Sequence, residues 1–180
     1  MGYVLIAAGF EGISFYTSRN GIHNITFFHT FVIAQLFLFS AIYYTSFDSP
    51  RVKKAIQGIT FIFLLLTLII LTLNSFQEFN PSVKGVQNLI ILSYSILYFY
   101  HLSDRLPTQR LELLPMFWIN SGVLLYFAGT LLVFTLKEYL GSKEGKYIID
   151  LWDFHLFLNV ILNVLFAIGF WVSRQKYLTA

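Results

Sequence analysis

Apolar residues run along this chain in blocks of roughly sixteen to twenty-four, separated by short polar breaks. Six such segments emerge: Gly2–Thr17, Ile22–Thr45, Ala55–Asn74, Val86–Leu102, Pro115–Leu136 and Leu151–Val172. Periodicity within them is weak, because both faces of each are apolar. The breaks "SRNG", "FDSPR", "EFNPS", "DRLPTQ" and "KEYLGSKEGK" carry the prolines or clusters of glycine and charge expected of loops. Runs near twenty residues are about twice the length of a barrel strand, so helices are the spanning element. The pattern predicts an all-α polytopic transmembrane bundle, residues 1–180 forming one helical domain with six spans. The first segment is short: sixteen residues at 1.5 Å each give roughly 24 Å against a hydrocarbon core of ~30 Å. A seventh helix, upstream in a longer form, would explain that.

Composition agrees with lipid as the solvent. Of the 180 residues, 57% are hydrophobic and only 12% charged, where a soluble domain carries roughly a quarter charged. The net charge of +3 lies at segment ends, with no basic stripe, and this argues against nucleic-acid binding. The absence of cysteine excludes disulfides, thiolate metal sites and cysteine nucleophiles. "MGYVLIAAGF" lacks the basic start of a signal peptide and reads as mature sequence.

Lysine and arginine set the expected orientation. Seven lie on one side (Arg51, Lys53, Lys54, Arg105, Arg110, Arg174, Lys176) and five on the other (Arg19, Lys84, Lys137, Lys143, Lys146). The excess places the C-terminus in the cytoplasm and the chain in the cytoplasmic (inner) membrane. Tyrosines and tryptophans near the segment ends match interfacial belts.

Polar residues inside the spans are the candidate chemistry. Counting from segment ends puts Glu11, His29 and His155 at one depth, roughly 6–11 Å from the outer boundary, with Asp153 beside them. Gln35 and Asn159 lie deeper; Asn74, Gln87 and Asn88 lie shallower. On the last segment Trp152, His155, Asn159 and Asn163 follow the 3–4–4 spacing of one helical face. Intramembrane ionisable groups point to function. Glu11, His29, Asp153, His155 and Asn159 therefore form the expected ligand-binding set. Asn159, Asn163, Gln35 and Asn120 also suit simple interhelical bonding, and Asp153 suits the first turn of a helix.

One carboxylate and two imidazoles, Glu11, His29 and His155, form an alternative metal set for zinc. The two histidines could instead ligate a b-type haem. No short metal motif supports either, and the cofactor stays open. No lysine lies deep in any segment, so no retinal Schiff base is expected. Gly122 and Gly129, seven apart and flanked by Ser121 and Ala128, form a small-residue strip for close approach of a neighbouring helix.

"NITFFHTFVIAQLFLFSAIYY", "PMFWINSGVLLYFAGTLLVF" and "LWDFHLFLNVILNVLFAIGFW" resemble a family of small six- or seven-helix membrane proteins of Bacteroidota. That resemblance implies architecture and no mechanism. A looser likeness to seven-helix metal-dependent membrane hydrolases, whose zinc sits on three histidines, would be met here only by His29 and His155.

The leading expectation is a small-ligand-binding or sensory membrane component acting through a partner membrane protein or homo-oligomer along the Gly122/Gly129 face. A zinc-dependent intramembrane hydrolase and a structural subunit of a larger membrane complex are the alternatives. The bilayer is a partner in every reading.

Overall fold

The computed structural model describes residues 9, 10, 12, 13, 16, 17, 19, 20, 25–73, 81–105, 110–140 and 145–178. Five α-helices hold nearly all of them: α1 (Ile25–Ser46), α2 (Pro50–Leu73), α3 (Pro81–Arg105), α4 (Pro115–Leu140) and α5 (Gly145–Leu178). A 3-10 turn, Leu111–Leu113, precedes α4. No strand occurs among the described residues. Three helices begin on proline, whose fixed φ suits the first helical position and whose missing N–H costs nothing there.

The number of spans differs from the sequence expectation. Among the described residues four helices, not six segments, are long and apolar enough to cross a membrane: Phe27–Ser46, Pro50–Leu73, Pro115–Leu136 and Asp153–Gln175. Segment Gly2–Thr17 falls largely outside the described residues. Segment Val86–Leu102 lies within α3, which also carries Lys84, Gln87, Asn88, Ser93, Ser95 and His101. Those side chains dilute its apolar character below that of the other four helices.

The chain divides into two compact units, Met1–Gln87 and Asn88–Ala180. In the first, α1 and α2 form a hairpin around the turn at Phe47–Ser49. The buried stripe of α1 is Val32, Leu36, Phe39 and Tyr43, continued by Phe47 in the turn; that of α2 is Ile56, Thr60, Phe63, Thr67 and Leu71. Both stripes step by three and four residues, one face of a helix. Thr60 Oγ1 joins them by donating to Ser40 Oγ at 2.7 Å.

The second unit is built on the α4–α5 pair. The glycine strip of α4 does bring a helix close, and that helix is α5 of the same chain. A β-carbon at Gly122 would lie 3.2 Å from Leu165 Cβ, and one at Gly129 would overlap the Leu158 side chain. Gly169 answers from α5, where a β-carbon would meet the Pro115 carbonyl oxygen at 2.9 Å. The Gly122/Gly129 face is thus occupied internally and is not open to a partner protein. Trp118 Nε1 donates to the Glu112 carbonyl at 2.9 Å and ties the 3-10 turn to α4.

Candidate functional site

The first unit buries a lysine. Lys84 sits in the opening turn of α3 because Pro81 starts the helix, and it is only 4% exposed. Its Nζ donates to Gln35 Oε1 and to Gln87 Oε1, each at 2.7 Å. Gln35 and Gln87 are fully buried. Gln87 Nε2 donates to the Val32 carbonyl at 2.9 Å and to Gln35 Oε1 at 3.0 Å. The carbonyl of Val32 can only accept, so it orients the Gln87 amide with its nitrogen toward α1. Gln87 Oε1 is thereby left facing Lys84.

Three side chains and one backbone carbonyl thus make a cation held by preoriented dipoles. Neutral amide oxygens compensate only part of the cost of removing an ammonium from water. A hydrophobic residue at 84 would avoid that cost altogether. An ammonium in such a cradle attracts a carboxylate or phosphate group.

Two further polar side chains are buried on α1 and α3. His29, 2% exposed, lies one turn before Val32 on the buried stripe of α1, its ring edge-on to Phe28 at 6.0 Å. On α3, Asn88 follows Lys84 by four residues and is fully buried. Neither its Oδ1 nor its Nδ2 meets a hydrogen-bond partner among the described residues. A buried primary amide left so loses several hydrogen bonds it would make in water. A ligand or ordered water can satisfy it.

The expected site residues are distributed differently. Glu11 lies outside the described residues. His29 belongs to the first unit; Asp153, His155 and Asn159 belong to the second. His155 is half-buried against the 126–130–134 ridge of α4. Its ring lies 5.5 Å from that of Tyr126 and 6.5 Å from that of Phe134. Its Nδ1 is 3.4 Å from Thr130 Oγ1.

Asp153 is exposed. Asn163 is exposed as well and turns back along its own helix, donating from Nδ2 to Asn159 Oδ1 at 2.6 Å and to the Asn159 carbonyl at 2.9 Å. The polar stripe of the last helix is therefore partly self-satisfied. Its packing face, Leu158, Leu162 and Phe166, is rotated away from the asparagines.

Asn120 acts as interhelical bonding, donating to the Ser95 carbonyl at 3.1 Å while Ser95 Oγ donates to the Asn120 carbonyl at 3.3 Å. Among the described residues no group of three or more histidines and acidic residues could hold a metal ion. The zinc set would need Glu11, which lies outside the described residues.

Lys84 is the residue that sequence reasoning misplaced. Counted as a loop charge, it lies inside the helix once Pro81 is taken as the first helical position. Lys84, Gln87 and Asn88 then share one face by their three- and four-residue spacing. Compared with known proteins, the chain matches no family model, no curated protein and no solved structure.

Proposed function

We propose that this chain is an integral membrane protein that binds a small ligand bearing a negatively charged group, and that Lys84, Gln35 and Gln87 are the core of its site. The observation that carries this reading is the buried Lys84 Nζ bridged to two buried amide oxygens at 2.7 Å. His29, one turn along α1 from Val32, supplies a titratable group on the buried face of that helix.

The role read here is sensory or carrier-like, the Lys84 amine being engaged by two amide oxygens. In this reading occupancy passes to a partner membrane protein. The lysine and arginine excess favours the cytoplasmic membrane, with the Phe47–Ser49 turn and the end of α5 on the cytoplasmic side.

Native mass spectrometry of protein extracted in mild detergent tests the reading. Wild type should release a small molecule in stoichiometric amount on denaturation, and Lys84→Gln should release none while keeping its helix content. Wild type that carries no small molecule would overturn the proposal, as would a variant that retains it.

A further inference from the structure

A second feature of the first unit lies on the other side of the α1–α2 hairpin contact. Between the two helices runs an open cleft of about 360 Å³, almost wholly apolar in its lining. That volume is within the usual range for small-molecule sites. The Ser40–Thr60 hydrogen bond lies along its course, and Phe37 and Phe61, 60% and 66% exposed, form its rims. One end is marked by Tyr44, near the end of α1, and Gln57, near the start of α2; the other by Phe37 and Leu64. Seven residues separate the ends on each helix, so the cleft extends roughly 10 Å from the turn side into the apolar span.

The turn end is basic. Lys53 precedes Gln57 by one helical turn and so continues the same face of α2, and its Nζ stands 5.2 Å from the centre of the Tyr44 ring. Arg51 and Lys54 are exposed beside it in the first turn of α2, where the helix dipole also favours negative charge. A cleft without charge would accept any lipid tail. A cleft with Lys53 at one end, and Arg51 and Lys54 in the same turn of α2, can distinguish lipids by headgroup, because each basic side chain near the surface favours an anionic lipid by roughly fivefold.

We infer that the α1–α2 cleft is a binding site for an anionic phospholipid, with one acyl chain lying between Phe37 and Phe61 and its phosphate at Arg51, Lys53 and Lys54. The site is separate from the Lys84 cluster, and its test does not depend on that reading.

The experiment is competition between dioleoyl-phosphatidylglycerol and dioleoyl-phosphatidylcholine, equimolar in mixed micelles, with retained lipid counted by native mass spectrometry. Wild type should retain the glycerol lipid over the choline lipid by fivefold or more. The triple variant Arg51→Gln/Lys53→Gln/Lys54→Gln should bring the ratio near parity while still holding lipid. Ala41→Trp, at an exposed position in the cleft wall, should reduce retention of both lipids without unfolding the chain. Equal retention of the two lipids by wild type overturns the proposal. So does a preference that survives the triple variant, or retention indifferent to Ala41→Trp.

Discussion

The side chain of Leu158 occupies the space where a β-carbon would stand on Gly129. The contact holds α4 and α5 close, and in lipid such close packing replaces a hydrophobic driving force between helices. Gly129→Ala should therefore destabilise the pair by about 1–3 kcal/mol through overpacking, even though alanine is the better helix former. At Gly122, where the nearest atom would be 3.2 Å away, the same change should be milder. Unfolding in mixed micelles with increasing sodium dodecyl sulfate reads both. Leu158→Ala added to Gly129→Ala should give a double variant about 1 kcal/mol or more above the sum of the singles. Strict additivity would show that the two residues do not meet.

The lysine cluster makes an asymmetric prediction. Lys84→Met removes a buried charge, and Gln87 Nε2 still bonds both Val32 and Gln35. The relief from desolvation offsets the lost bonds, so the fold should be near neutral or more stable. Gln87→Leu instead takes one of these amide oxygens from Lys84 Nζ and should cost about 1–3 kcal/mol. The order of the two denaturation midpoints is the measurement. Lys84→Met falling below Gln87→Leu would mean that the cation itself stabilises the fold.

The helices were readable largely because apolar length and proline-marked breaks are local signals. Counting residues from segment ends grouped Glu11, His29 and His155 at one expected depth. What counting cannot supply is the direction in which a side chain leaves its helix. His155 meets Tyr126, Thr130 and Phe134 of α4, while His29 is part of the other unit. The glycine strip was legible as a packing surface, but nothing local distinguishes a partner in another protein from α5 of the same chain. Lys84 was lost for a different reason. A lysine three residues past a proline reads as loop or helix according to where the first turn begins, and only burial decides between them.

Asn120 and His155 should separate as bonding and packing roles. Asn120→Ala removes the donor to the Ser95 carbonyl and should cost about 0.6 kcal/mol, rising to ~1.7 at most, the range for interhelical bonds in lipid. His155→Phe keeps a ring against Tyr126 and Phe134 and should cost less than His155→Ala, since aromatic pairs contribute about 0.5–1.5 kcal/mol each. Denaturation midpoints of the three variants test this. If His155→Phe proves as damaging as His155→Ala, the Nδ1 contact with Thr130 rather than the ring carries the interaction.

The most informative prediction concerns α3, which is long enough to cross a bilayer yet more polar than its neighbours. If burial of Lys84, Gln87 and Asn88 hides that polarity from lipid, α3 crosses, and the segments before α2 and before α4 emerge on the same side. Because the chain contains no cysteine, single substitutions report sidedness without background. Asp48→Cys and Glu112→Cys, both at exposed positions, should react with a membrane-impermeant maleimide from the same face of sealed vesicles. Arg174→Cys should label from that face too, since α4 and α5 add two further crossings. Labelling of Asp48→Cys and Glu112→Cys from opposite faces would mean that α3 does not span. The polar face of α3 would then have to meet water or headgroups, and Lys84 would lose the burial on which its role as a ligand-binding cation depends.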